Sequence, residues 1–211
     1  MSKGRLIYID EDPEDIVYFQ DFSDGHFDLE VIRIENGADE DEVLELILSS
    51  PPDAVVTDFM LNEKARVGFN GQRLIELIQA RNKHLPCFLL TSHTPNALEA
   101  THDARLVQTK AVILGGDDYT TLFREQIAKI IKDHKAEFLA AESELTELVA
   151  LPIDSLTAEQ RQRALELDGY IEEHGLSSSS LPMELKEDRS IDLLAKLVSQ
   201  VDALLAKKVG E

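Results

Sequence analysis

Residues 6–16 read LIYIDEDPEDI, and this stretch decides how the N-terminal part of the chain is interpreted. A β-rich run, Arg5–Ile9, ends abruptly in acidic residues, and Pro13 then opens a helical pattern. Proline suits the first helical turn, where its missing N–H is not needed for a hydrogen bond. A strand followed at once by a helix predicts the first step of an alternating α/β domain.

The same alternation continues for about 130 residues. Further strands are predicted at Leu29–Ile34, Ala54–Thr57, Cys87–Leu90 and Leu106–Thr109. Helical patterns follow them at Asp39–Leu48, Leu74–Ile78, Asn96–His102 and from about Tyr119. The order predicts a doubly wound α/β domain over residues 1–132, with five parallel strands and helices on both faces.

The rest of the chain has only helical patterns, so residues 133–211 are predicted to form an all-α extension. A first helix at about 120–150 ends before Pro152, and a capping box at residues 157–160 opens a second helix to about 174. A third helix, about 190–208, has an apolar stripe that needs a partner. Packing as a hairpin or a small bundle is the simplest solution.

Composition narrows the classes of partner and the compartment. The 41 acidic and 21 basic residues give a net charge of −20, which disfavours nucleic acid and anionic membranes as partners. Residues 121–211 carry 11 basic and 18 acidic side chains, and no basic recognition helix is present. The chain starts without an apolar signal sequence and has no membrane-length apolar segment, so a cytoplasmic location is expected. Cys87, the single cysteine, is expected to be a buried apolar residue.

Polar side chains stand at the carboxyl ends of four predicted strands. They are Asp10 and Glu11 after the first strand, Asp58 after the third, Thr91 after the fourth and Lys110 after the fifth. In a parallel sheet these ends meet at one edge, where ligands bind. Each residue alone has an ordinary explanation, as a loop acid, a strand-end hydroxyl or a solvated lysine. Their joint order favours a functional site.

The chemistry of this set points to a metal and a phosphoryl group. Three crowded carboxylates repel one another unless a cation shares them, and Mg²⁺ prefers oxygen ligands of this kind. A hydroxyl and an ammonium are surplus to a bare metal site. They are useful where the oxygens of a transferred phosphoryl group need a hydrogen-bond donor and a counter-charge.

The stretches LIYIDEDPEDI, AVVTDFML, FLLTSHT and VQTK resemble the receiver domain of bacterial two-component response regulators, a flavodoxin-like fold. The resemblance covers about 60 % of the chain. It implies that Mg²⁺ is held by Asp10, Glu11, Asp58 and the backbone carbonyl of Met60. It also implies that Asp58 takes a phosphoryl group from a histidine of a partner kinase or phosphotransfer protein, while Thr91 and Lys110 bind its oxygens.

Several residues depart from the family pattern. Ala111 follows Lys110 where the family usually has a proline, and Val107 is the nearest residue to the usual aromatic switch position. The loop after Asp58 is long, and the segment between Thr91 and Lys110 is short, which predicts a reduced fourth helix.

The expected function is two-component signalling, with an output through the C-terminal helices to a downstream protein or a homodimer rather than to DNA. Such a domain catalyses only its own phosphorylation and dephosphorylation. The alternative is a pseudo-receiver scaffold or dimerisation module that works without phosphorylation. A Mg²⁺-dependent phosphatase is disfavoured because that class typically has a second aspartate two residues after the first, where this chain has Met60.

Overall fold

A computed structural model describes residues 3–101, 103–114, 117–152 and 155–174. The chain divides into two compact units, an N-terminal unit, Met1–Ala136, and a C-terminal unit, Glu137–Glu211. The domain boundary expected at residue 132 stays a prediction. The helix expected at about 190–208 lies outside the described residues.

The N-terminal unit is built on one five-stranded parallel sheet in the order β2-β1-β3-β4-β5. The strands are β1 Gly4–Asp10, β2 Phe27–Arg33, β3 Ala54–Asp58, β4 Cys87–Thr91 and β5 Val107–Thr109. The predicted sheet is therefore confirmed. The switch point of the sheet lies between β1 and β3. The chain goes from β1 to β2 on one side, then crosses to β3 on the other side and continues outward to β4 and β5. Ligands bind at such points in open α/β sheets.

Helices connect the strands and continue beyond the sheet. They are α1 Pro13–Ser23, α2 Glu40–Ser49, α3 Gly71–Arg81, α4 Thr94–Ala100, α5 Asp117–Val149 and α6 Ala158–Glu173. Two 3₁₀ turns flank β5, at Ala104–Leu106 and Lys110–Val112. Leu106 was predicted to begin β5 but belongs to the first of these turns. The fourth helix is short, as expected, with seven residues.

The central strands β1, β3 and β4 are buried on both faces of the sheet, which explains why they read as apolar runs, whereas the edge strands β2 and β5 are partly exposed. Alternate residues of β1 point to opposite sides, so Ile7 and Ile9 join a core with α2 and α3. Leu6 and Tyr8 join the core on the other side, with α1 and the first part of α5. Asp10 continues the Tyr8 register, which directs its side chain to the α1 side of the sheet.

The described part of the C-terminal unit is a packed helix pair. Residues 137–149 of α5 and all of α6 share an apolar core that includes Leu145, Leu167 and Ile171. The predicted capping box is present, because Thr157 accepts from the Gln160 N–H while the Gln160 side chain accepts from the Thr157 N–H. Among the described residues, no helix has the length and apolar character needed to cross a membrane.

Candidate functional site

Three buried carboxylates meet at the switch point of the sheet. Asp10 ends β1, Glu11 follows it, and Asp58 ends β3. They are 0 %, 7 % and 3 % exposed, and one oxygen of each lies within 4.8 Å of the others. The structure thus brings together the three acids that the strand order had placed at one edge.

Lys110 lies inside this group. Its Nζ is 2.6 Å from Asp58 Oδ1 and 3.2 Å from Asp10 Oδ2, and the residue is 8 % exposed. The lysine is delivered by the 3₁₀ turn that directly follows β5, whose N-cap is Thr109. Its alternative interpretation as a solvated charge is therefore wrong.

Two residues that the sequence analysis did not select also belong to the site. Asp15, from the first turn of α1, places Oδ2 2.5 Å from Lys110 Nζ. The hydroxyl of Tyr8 donates to Asp10 Oδ2 over 2.5 Å. Tyr8 could have been found from its position two residues before Asp10 on the same strand face. Asp15 had no such signal, because the strand pattern does not give the rotation of α1.

Backbone groups hold two of the carboxylates in place. The Asp12 N–H donates to Asp10 Oδ1 over 2.8 Å, and the Met60 N–H donates to Asp58 Oδ2 over 2.6 Å. The carbonyl of Met60, a predicted metal ligand, accepts from the Glu63 N–H over 2.8 Å. A carbonyl oxygen has a second lone pair, so this turn bond leaves room for a cation.

Thr91 ends β4 with 1 % exposure, and its hydroxyl oxygen accepts from the His93 N–H over 2.8 Å. The hydroxyl hydrogen is a separate donor. Thr91 pairs with Thr109, the residue before Lys110, so it lies at the same sheet edge as the lysine.

Burial dominates the electrostatics of the acids. It raises the pKa of Asp58 to about 6, with Lys110 working against the shift and Asp10 adding to it. Burial also raises the pKa of Glu11 to about 7, and the charges of Asp10 and Asp58 add to this. For Lys110 burial acts to lower the pKa, but the carboxylates of Asp58 and Asp10 outweigh it and raise the pKa above its usual value.

The residues present fit a divalent cation. The candidate ligands are all carboxylate or carbonyl oxygens, which hard cations prefer. Within the described residues, Oε2 of Glu11 is buried and has no hydrogen-bond partner. A buried oxygen without a partner is costly, and a cation would satisfy it.

The long loop after β3 contacts two other loops, the one between β1 and α1 and the one between β2 and α2. Lys64 forms an ion pair with Asp12, the N-cap of α1. Further along the loop, Arg66 donates its N–H to Asn36 Oδ1 over 2.8 Å and accepts from the Gly37 N–H over 3.1 Å. An open cavity of about 350 Å³ lies beside Glu11, and Asn36 and Lys64 are among the residues that line it.

No family model matches the chain, and no curated protein matches it. Several solved structures are similar to it. The signal receiver domain of an HD domain-containing protein from Pseudomonas fluorescens Pf-5 is 16 % identical, with a TM-score of 0.50 over 64 % of this chain and 94 % of that one.

Two further structures are similar at lower scores. A response regulator receiver protein from Sinorhizobium medicae WSM419 is 11 % identical, with a TM-score of 0.48 over 63 % of this chain and 97 % of that one. A two-component response regulator of the LuxR family from Aurantimonas sp. SI85-9A1 is 22 % identical, with a TM-score of 0.45 over 61 % of this chain and 86 % of that one. The likeness to the receiver domain from Pseudomonas fluorescens Pf-5, together with the five parallel strands in the order β2-β1-β3-β4-β5, shows that this chain contains the receiver fold.

Proposed function

We propose that the chain is a two-component signalling protein that accepts a phosphoryl group on Asp58. The observation that carries the proposal is the position of Asp58, buried at the switch point of a receiver fold, with Lys110 Nζ at 2.6 Å and two further acids alongside. The donor is a phosphohistidine of a histidine kinase or a phosphotransfer protein. An Asp58 oxygen attacks phosphorus, and the bond from phosphorus to the donor breaks with its electron pair leaving on the donor.

Each neighbouring residue has a role in this step. Asp10, Glu11, Asp58 and the Met60 carbonyl would hold Mg²⁺, which would supply positive charge to the transferred phosphoryl group. Lys110 supplies a second positive charge from the protein itself. Thr91 donates its hydroxyl hydrogen to a phosphoryl oxygen. The hydrogen bond from the His93 N–H uses the hydroxyl oxygen as acceptor, so it leaves this hydrogen available.

The output acts on proteins. The net charge of −7 over residues 121–211 disfavours a DNA-reading element, as does the absence of a basic helix from that sequence. A downstream protein or a second copy of the chain, bound through the C-terminal helices, is the proposed target. The chain acts on no external substrate and catalyses only its own phosphorylation and dephosphorylation. The cytoplasmic location stays a prediction.

One observation favours the alternative of a scaffold that works without phosphorylation. Lys110 contacts Asp10, Asp15 and Asp58 together, so a single ammonium already offsets part of the buried negative charge without metal or phosphate. In that case the cluster would be a structural ion-pair network.

The two candidates differ in one measurement. The full chain is incubated with Mg²⁺ and acetyl phosphate, and its intact mass is recorded over time. We expect one added phosphoryl group on the wild type and none on Asp58→Asn. The matched control is Asp21→Asn, which removes an exposed carboxylate from α1 far along the helix from the site and should be labelled like the wild type.

A different result of the labelling experiment would support the alternative, a scaffold that works without phosphorylation. A wild type that gains no phosphoryl group, and that shows no Mg²⁺-dependent binding of beryllofluoride, would exclude phosphoryl acceptance on Asp58. Equal labelling of wild type and Asp58→Asn would place the acceptor on another residue.

A further inference from the structure

The ammonium of Lys110 is shared among three carboxylates, which equals the number of its N–H donors. Two of these carboxylates, on Asp10 and Asp58, come from strand ends. The third, on Asp15, comes from α1 and lies 2.5 Å from Nζ, close to the 2.6 Å of Asp58. Asp15 therefore attracts the ammonium as closely as Asp58 does, but from α1 rather than from a strand end.

This second attraction matters because both oxygens of Asp58 accept a hydrogen bond. Lys110 is bound to Oδ1, and the Met60 N–H donates to Oδ2 over 2.6 Å. A hydrogen bond from an ammonium draws electron density from the oxygen that accepts it, so it makes that oxygen a poorer nucleophile even though a second lone pair remains. A weaker Lys110–Asp58 contact would therefore make Oδ1 a better nucleophile.

We propose that Asp15 is a positioning residue that draws Lys110 away from Asp58 and holds the ammonium beside the site during phosphoryl transfer. The inference rests on the proposed function and adds a residue to it. In the part of the chain that the structure describes, the ion pair with Lys110 connects Asp15 to the site, so Asp15 acts through the lysine.

The surroundings of Asp15 suit this role. Its side chain keeps 20 % exposure, against 5 % for Asp58 and 0 % for Asp10, so its charged form is the least desolvated of the three. It stands in the first turn of α1, where the helix dipole favours a negative charge. Phe19 of the same helix stacks on Tyr8 at 3.8 Å, which fixes α1 against the sheet below Asp15.

The test measures the rate of labelling by acetyl phosphate at saturating Mg²⁺. Asp15→Asn keeps the shape of the side chain but removes its negative charge. The Asn side chain attracts the Lys110 ammonium less, so the ion pair between Lys110 and Asp58 is more populated. We expect labelling to slow about tenfold, the size of one charge-assisted hydrogen bond at its lower end. Asp15→Glu restores the charge and should restore most of the rate.

A matched control separates position from net charge. Glu14→Gln removes one negative charge from the same turn of α1, at an exposed residue, and should leave the rate unchanged. A second comparison is made in a Lys110→Gln background. There Asp15→Asn should have no further effect, because the residue through which Asp15 acts is absent.

A readout without phosphate or metal completes the test. The urea midpoints of the wild type, Asp15→Asn, Lys110→Gln and the double variant form a cycle that reports whether the two side chains are coupled in the folded protein. We expect the double variant to lose less unfolding free energy than the two single variants lose in sum. The reason is that each single variant leaves the other charged side chain without its partner.

The outcomes are distinct. Labelling of Asp15→Asn at the wild-type rate would overturn the inference while leaving phosphoryl acceptance intact. An equal slowing in the Lys110→Gln background would overturn it as well, because Asp15 would then act through another group. A wild type that is never labelled would instead overturn the proposed function, and the Asp15 role with it, even if the urea cycle showed coupling.

Discussion

Gly71, the first residue of α3, lies directly against the backbone of the proposed phosphoryl acceptor. A Cβ built on it would stand 1.9 Å from the Asp58 carbonyl oxygen and 3.0 Å from Thr57 Oγ1. The Gly71 N–H also donates to the Phe59 carbonyl over 3.0 Å, so a hydrogen bond joins the start of α3 to the residue that follows β3. Gly71→Ala therefore forces apart two backbone segments that fix Asp58.

The size of the disturbance follows from the distance. To bring the new Cβ from 1.9 Å to 3.0 Å, the Asp58 carbonyl and α3 must separate by 1.1 Å. Both are backbone, so no side-chain rotation can relieve the clash. Forced repacking of this kind costs about 1–3 kcal/mol, and each kcal/mol lowers the Tm of a chain of this size by about 2–4 °C.

The assay is urea unfolding followed by circular dichroism, together with the labelling rate by acetyl phosphate. Gly68→Ala is the matched control, because Gly68 lies three residues earlier in the loop before α3 and no atom beyond its chain neighbours lies within 4 Å of its Cβ position. We expect Gly71→Ala to lose stability and to be labelled more slowly, and Gly68→Ala to do neither. Equal midpoints for the two variants would refute the close approach of α3 to Asp58.

Three further expectations follow from single features. Burial raises the pKa of Cys87 to about 12, so iodoacetamide at pH 8 should modify this thiol only after denaturation, as intact mass will show. Thr157→Ala removes the capping box of α6 and should cost about 1 kcal/mol of unfolding free energy in the C-terminal unit, measured by hydrogen exchange of α6. The folded-state pKa values of Asp58 and Glu11, about 6 and about 7, lie above the ordinary carboxyl values. The folded state then holds protons that the unfolded chain has lost, so the urea midpoint of the metal-free protein should fall as pH rises from about 5 to about 8; a flat profile would contradict these shifts.

The sheet could be predicted from the sequence because its strands carry two independent signals. Ala54–Asp58 and Cys87–Thr91 are continuous apolar runs that end in polar side chains, and both are fully buried strands. Parallel strands joined by helices place all such ends at one edge, so strand order alone brought Asp10, Glu11 and Asp58 together. The polar ends, rather than any single motif, made this part of the site predictable.

The remaining parts depended on geometry that local pattern does not contain. The rotation of α1 about its axis decides whether Asp15 reaches Lys110, and that rotation follows from the packing of Phe19 on Tyr8. The start of β5 was misplaced by one residue, because an apolar residue such as Leu106 fits a strand and a 3₁₀ turn equally well. Val107 is half-buried against the core on the α2 and α3 side, with no aromatic ring to change position.

The buried charge of the site connects its metal binding with its pH dependence. If every group were ionised, the carboxylates of Asp10, Glu11, Asp15 and Asp58 would outnumber the single ammonium of Lys110 by three. A buried excess of this kind is relieved either by protons or by a cation. The raised pKa values of Glu11 and Asp58 show the first route in the metal-free protein. A divalent ion at the same oxygens would displace those protons, so cation affinity should rise over the pH range in which the metal-free fold loses stability.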